Sequence, residues 1–267
     1  MRVGLRCANP TYNIVALIMT RHQSFEIQLE NFRQEAASAA QYIYAEMAIH
    51  HAASKSKKLL HRLNSTPIFW LSCSAALQSA AYISLGRIFD TKSKFNVNAL
   101  LDSMEKNLGI FQREALALRK RGSEDVDPPW LSEYLDRAYY PSIKDINRLR
   151  SLVERYRAIY DRAIKPARHK YLAHREKEEP AEVQELFAGG KVREIWRLIT
   201  FIYQLYEVLW EQFHNGRRPV FRSIRYSLNS IYDAARQRSV PHEQIVADVK
   251  KLMEFIETAT INSSRSG

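Results

Sequence analysis

An all-α fold follows from three observations on this sequence. Gly and Pro are scarce, 8 and 9 in 267 residues. Apolar residues recur three and four positions apart over long stretches, and β-branched runs bounded by turn residues are hard to find. With 46% hydrophobic and 26% charged residues, the chain has ample apolar surface for a core, which argues against wholesale disorder.

Taken in order, residues 1–22 read as a poorly structured leader. Arg2 and Arg6 precede the apolar stretch Tyr12 to Met19, yet no small-residue cleavage site follows it. From Gln23 to Leu63 the apolar positions Phe25, Leu29, Phe32, Ala36, Ala39 and Ile43 predict one long helix with room for a single break, since no Pro or Gly interrupts it. Ser65-Thr66-Pro67 then signals a new start, because a hydroxyl can cap orphan amides and Pro suits the first helical position. That helix should run to about Asp90. No charged residue lies between Arg62 and Arg87, enough length for a membrane span of about twenty residues. Its serines, Gln78 and many alanines instead predict a helix packed on all sides, and no membrane partner is expected.

Beyond a polar linker at 91–96, Asn98 to Lys106 and Ile110 to Arg121 read as shorter helices separated by Gly109, followed by a loop from Gly122 to Pro129. A short helix at 130–138 leads to Tyr140-Pro141-Ser142, a further start signal. After it Ile143, Ile146, Leu149, Val153, Tyr156, Ile159 and Tyr160 form one stripe. Pro166 should interrupt or kink this helix, since its ring clashes with the preceding turn and it lacks a backbone donor. Glu179-Pro180 opens a short helix that stops at Gly189-Gly190. Val192 to Leu209 line the next, which Asn215-Gly216 ends. Two helices, near Ser223 to Arg236 and His242 to Thr258, close the chain. The expected organisation is a bundle of long antiparallel helices over 23–215 and a basic helical extension over 216–267.

Charge and composition narrow the function. Lys and Arg exceed Asp and Glu by 40 to 29, a net charge of +11 that attracts phosphates and other anions. Cys7 and Cys73 stand alone in dissimilar contexts, so neither a disulfide framework nor a cysteine metal site is indicated, and a reducing cytoplasm fits best. No Gly-rich phosphate loop, no metal-binding His pair with a Glu at helical spacing and no serine nucleophile elbow is present. The adjacent His50 and His51 point to different faces of their helix, which disfavours a metal site and suggests surface residues. No cofactor is expected. Trp70, Tyr82, Tyr156 and Trp196 fall on apolar stripes and read as core.

One run stands out: Arg168-His169-Lys170-Tyr171-Leu172-Ala173-His174-Arg175. An Arg followed by a His after four to six intervening residues also occurs by chance at Arg162 with His169 and at Arg236 with His242. Those two pairs cross or approach a proline, whereas Arg168 to His174 follows the amphipathic helix and continues into a charged run. This Arg-x(4 to 6)-His arrangement, with the polar His169 after the Arg, resembles the motif of the HEPN superfamily. Tyr171 to Glu176 is similar to that motif's ending in the AbiU-like abortive-infection branch. Leu85-Gly86-Arg87-Ile88-Phe89-Asp90, followed by a linker and Asn98-Ala99-Leu100-Leu101, resembles an Arg-x-x-Asp helix end of the same branch.

The resemblance covers about residues 23–215 and implies several expectations. These are a helical bundle of HEPN type, homodimerisation that sets two motifs face to face, RNA as the substrate, metal-independent endoribonuclease activity in a toxin or phage-defence setting, and an antitoxin protein as a further partner. It assigns catalysis to Arg168, His169 and His174, with Arg87, Asp90, Tyr171 and Arg175 supporting.

The residue chemistry is compatible with this. Cleavage of RNA through its own 2′-hydroxyl needs a base, an acid and positive charge on the transition state, and no metal. A histidine exchanges protons near neutral pH, and an arginine offers planar donors to phosphate oxygens. On one straight helix Arg168 and His174 would lie about 120° apart and about 9 Å along the axis. A kink or a symmetric dimer is therefore needed to bring them together.

Other readings stay open. Arg168 and His174 can cap carbonyls or pair with Asp161, Glu176 or Glu178, and Arg87 with Asp90 can form an ion pair closing a helix. At the level of function, the rivals are a non-catalytic protein of the same fold that binds RNA or a partner, and a nucleic-acid module built on Arg217, Arg218, Arg222 and Arg225.

Overall fold

The computed structural model describes residues 10–94, 96–122, 126–168, 192–222 and 241–259, and all regular structure among them is helical. In chain order the helices are α1 (Pro10–Lys55), α2 (Lys57–Asn64), α3 (Pro67–Phe89), α4 (Val97–Lys106), a 3-10 turn (Leu108–Phe111), α5 (Arg113–Arg121) and α6 (Leu131–Arg137). They continue with α7 (Ile143–Ala163), the single turn α8 (Lys165–Ala167), α9 (Val192–Asn215) and α10 (Pro241–Thr258). The predicted helices at 180–189 and 223–236 lie outside the described residues.

Local chemistry sets most boundaries. Ser56 breaks the long first helix: its backbone turns extended and its Oγ accepts from the Leu59 amide at 3.1 Å, capping α2. Asn96 starts α4 by accepting from the amides of Asn98 and Ala99 at 2.9 and 3.1 Å, while its own side-chain amide donates to the carbonyl of Ser93 at 2.6 Å. At the start of α7 the Asp145 carboxylate reaches back to accept from the Ser142 amide at 2.9 Å and from its hydroxyl at 2.6 Å, the acidic half of a capping box. Gly216 ends α9 at φ +55°, and a Cβ there would sit 2.7 Å from Leu116 Cδ2 and 3.0 Å from Ala138 Cβ, so glycine is needed on both counts. One boundary departs from expectation. α1 begins at Pro10, so residues 10–22 belong to the helix and not to an unstructured leader. Nothing between Thr11 and His22 breaks a helix once Pro10 has opened it.

The described residues fall into two compact units. The first, from 10–34, 87–159 and 200–222, has an aromatic core in which Phe25, Phe111 and Phe213 meet with ring centroids 5.0 to 5.5 Å apart. Arg119 lies 4.3 Å from the centroid of the Phe213 ring, donating to the Ile110 carbonyl at 2.7 Å and facing His22 Nε2 at 3.1 Å. Burial lowers the His22 pKa to about 4, with Arg119 adding to the effect, so this imidazole is neutral in the folded protein.

The second unit, from 35–86, 160–168, 192–199 and 241–259, buries a helix face rich in alanine, namely Ala36, Ala39, Ala40 and Ala48 of α1. Its polar centre is Glu46. One carboxylate oxygen accepts from Ser74 Oγ, from Gln78 Nε2 at 2.9 Å and from His50 Nε2 at 2.9 Å. Burial alone would raise the Glu46 pKa, but these hydrogen bonds outweigh it and hold the carboxyl below its ordinary value. His50 shifts the other way, raised by its bond to Glu46. Burial, with Glu46 nearby, pushes the Tyr82 hydroxyl up to about 12.

α3 corrects the expectation of a helix packed on all sides. No residue from 67 to 80 is buried, and Ile68, Phe69 and Leu71 are 81%, 60% and 70% exposed. Burial begins at Ala81 and covers Tyr82, Ser84, Leu85, Gly86, Ile88 and Phe89. Absence of charge permits burial without requiring it, and small side chains such as Ala75 and Ala76 tolerate water at little cost. Among the described residues α3 is the one helix long and apolar enough to cross a membrane.

Candidate functional site

The route from α7 to Arg168 is set by Pro166. Lacking an amide proton, this residue cannot extend α7, which ends at Ala163. The hydrogen-bond ladder resumes around it: the Ile164 amide donates to the Tyr160 carbonyl at 2.9 Å and the Arg168 amide to the Ile164 carbonyl at 3.0 Å. Arg168 therefore keeps helical backbone angles, φ −62° and ψ −45°. On either side the local carboxylates are engaged. Asp161 accepts from Lys165 at 2.8 Å and Glu194 from Arg162 at 2.5 Å.

The half-buried Arg168 side chain runs back along the helix, and its Nη1 donates to the Tyr160 hydroxyl at 3.0 Å. It also lies directly over Gly86 of α3. A Cβ at Gly86 would come within 2.5 Å of Arg168 Nε and 2.7 Å of its Cδ and Cζ. Glycine thus provides the seat on which the guanidinium rests, and any other residue would displace it. Two motifs eighty residues apart in sequence meet at this contact. Gly86 belongs to the Leu85 to Asp90 helix end and Arg168 opens the Arg-His run.

Arg87 is exposed, and Asp90, half-buried, shapes the turn after α3. The Asp90 Oδ1 accepts from the Lys92 amide at 3.0 Å, and its carbonyl accepts from the Ser93 amide at 2.9 Å. In the unit that holds them, Arg157 of α7 donates through Nε to the Phe89 carbonyl at 3.1 Å, satisfying a carbonyl of the last turn of α3, and through Nη1 to Glu154.

His169, Tyr171, His174 and Arg175 lie outside the described residues. Of the residues singled out in the sequence, the structure thus places Arg168, Arg87 and Asp90, and it joins Arg168 to the glycine of the second motif. Sequence reasoning missed three contributors. Tyr160 read as one more apolar-stripe residue, Gly86 as a letter in a motif, and Arg157 was not singled out. Only the lone glycine in an otherwise well-formed helix carried a signal, since such a glycine marks either a weak point or a close approach. Among the described residues no three His, Cys, Asp or Glu side chains come together to hold a metal ion.

The arrangement holds a guanidinium in a fixed orientation at a helix end, and a guanidinium is a planar donor group of the kind that matches phosphate oxygens. The family model described as AbiU2, of the HEPN class, matches residues 22–234. The chain therefore belongs to the AbiU2 family of HEPN proteins, and the helical architecture agrees with that membership. The coarse functional class this carries is that of a toxin or abortive-infection protein. Comparison with curated proteins and with solved structures returns no match.

Proposed function

We propose that this protein is a metal-independent endoribonuclease of a toxin or phage-defence system, acting as a homodimer in the cytoplasm. The observation that carries the reading is the seating of Arg168 on Gly86 and Tyr160, which gives the first residue of the Arg-His motif a defined position within a HEPN bundle. In this reading the RNA 2′-oxygen attacks the adjacent phosphorus and the bond from phosphorus to the 5′-oxygen breaks. A proton leaves the 2′-hydroxyl and one is delivered to the departing 5′-oxygen. His174 exchanges protons, Arg168 offsets charge on the phosphorane-like transition state, and His169 orients or polarises. The products are a 2′,3′-cyclic phosphate and a 5′-hydroxyl, and the atoms balance without a metal or cofactor. The second copy brings His174 near the Arg168 of its partner, because one helix would hold them about 9 Å apart.

The test is incubation of purified protein and its His174→Ala variant with labelled structured and unstructured RNAs in excess chelator, followed by end analysis. Cleavage to a cyclic phosphate that disappears in the variant supports the reading. Full activity in His174→Ala overturns the assignment. RNA binding without turnover in a well-folded dimer selects a non-catalytic protein of the same fold.

A further inference from the structure

A cavity of about 500 Å³ opens beside α7, in the unit that does not contain Arg168. Three arginines, Arg148, Arg155 and Arg218, line it together with the aromatic residues Tyr139 and Phe221. Its size is in the range of small-molecule sites, which run from about 300 to 1,000 Å³. Arg148 and Arg155 stand seven residues apart on one face of α7, two turns or about 10.5 Å along the axis. Asp145 is the one carboxylate among the described lining residues, and it is already occupied. It accepts from the Ser142 amide and hydroxyl at 2.9 and 2.6 Å and from Arg148 at 3.3 Å. The lining therefore keeps a surplus of positive charge.

The aromatic walls are fixed in place. Phe221 is the last ring of a stack in which Tyr156 and Phe201 lie parallel at 3.9 Å and Phe201 and Phe221 follow at 6.2 Å. Arg218 lies 5.3 Å from the centroid of the Tyr139 ring. The segment that carries Arg218 and Phe221 is pinned at both ends. The Tyr139 amide donates to the Gly216 carbonyl at 2.6 Å, and Gln204 brackets Arg222, donating to its carbonyl at 2.9 Å and accepting from its amide at 2.7 Å. A cavity that joins guanidinium forks to rigid ring faces suits a ligand that joins phosphate to a flat base. Simple anions need no ring face, and acidic peptides present no planar base to extend a stack.

We propose that this cavity binds a nucleotide unit, its phosphate held by Arg155 and Arg218 and its base continuing the Phe221 stack, at a site separate from Arg168. The unit comes from one of two sources, a free nucleotide or one residue of a single-stranded RNA. In the RNA form the site is a docking point for the substrate and rests on the endoribonuclease reading; in the free-nucleotide form it stands without that reading.

The experiment uses the full chain carrying His174→Ala, so that turnover is not the readout. Anisotropy of a fluorescein-labelled single-stranded RNA is measured against salt, with AMP as competitor, and AMP binding is followed separately by calorimetry. Arg155→Glu with Arg218→Glu should weaken RNA or AMP binding by about tenfold or more and reduce the slope of log affinity against log salt for RNA by about 0.7, the value for one lost phosphate contact to a single strand. Phe221→Leu should weaken binding several-fold without changing that slope. Binding of RNA alone identifies the strand as the source; tight AMP binding that displaces RNA identifies the free nucleotide. If the double reversal lowers the melting temperature, Arg155→Gln is read in its place. Unchanged affinity for both probes in a folded variant overturns the proposal. A wild-type protein that cuts no RNA leaves this binding readout intact, so the two ideas fail separately.

Discussion

The two halves of α3 share a composition and live in opposite environments. From Pro67 to Ala80 no side chain is buried, although Ile68, Phe69 and Leu71 are as apolar as anything in the core. From Ala81 to Phe89 only Ile83 and Arg87 are exposed, and here the chain sets Gly86 beneath Arg168. An uncharged stretch therefore marks two different things within one helix: an open apolar face and a clamped platform for a functional arginine. The difference teaches that chemistry is placed where backbone position is over-determined. The buried half is fixed by Tyr82, Leu85, Ile88 and Phe89 at 0 to 2% exposure, so a half-buried guanidinium can be set against it reproducibly.

The largest test of that contrast is a truncation in the buried half. Leu85→Ala should cost about 2–5 kcal/mol, because it removes a fully buried side chain and leaves a void. Chemical denaturation with an unchanged slope measures it, and a loss under about 1 kcal/mol would mean the platform is loosely packed. Next in size is Glu46→Ala, expected to cost about 1–3 kcal/mol by removing the carboxylate that accepts from Ser74 and Gln78 of α3, which leaves Gln78 only its weaker bond to Ser74 Oγ.

This clasp also has a pH signature. The folded Glu46 pKa lies below its ordinary 4.5, so its contribution is present above about pH 4.5 and is lost as pH falls through the folded value. The folded His50 pKa lies above 6.5, so its contribution is present below about pH 6.5 and is lost as pH rises through the folded value. The melting temperature of the wild type minus that of Glu46→Gln should therefore be greatest between about pH 4.5 and 6.5. A difference that does not vary with pH would remove the ionic part of the clasp.

A smaller effect on stability, with a larger one on activity, is expected for Gly86→Ala. The added methyl meets the far part of a flexible arginine and not backbone, so folding should change by about 1 kcal/mol or less while Arg168 is displaced. Under the proposed function RNA cleavage should fall about tenfold or more; full cleavage would show that the seat is dispensable. Smallest of all, Phe69→Ala in the open half should shift stability by less than about 0.5 kcal/mol in the monomer. A cost comparable to that of Leu85→Ala would mean the face is covered.

Much of the architecture was legible because its causes are local. Pro67, Ser142 with Asp145, and Asn215-Gly216 mark helix ends through chemistry confined to four or five residues. The stripe from Ile143 to Tyr160 follows from one period, and Tyr82 and Trp196 are buried as their positions on apolar stripes suggest. Less was readable where local preference is nearly balanced. Ser56 interrupts a helix that the apolar period would continue, and Pro10 opens one where the period is weak.

For the candidate site, the sequence by itself determined the fold class, the helical frame and the identity of the Arg-His run, because periodicity, capping and motif spacing are properties of neighbouring residues. Only the tertiary structure decided that half of α3 stands open, that Arg157 closes the end of α3 at Phe89, and that Tyr160 and Gly86 receive Arg168. Each of these depends on contacts between segments distant in sequence, or on which face a neighbour covers. The one-dimensional pattern of polar and apolar residues does not encode that choice, since the same apolar helix satisfies its own backbone whether or not anything packs against it.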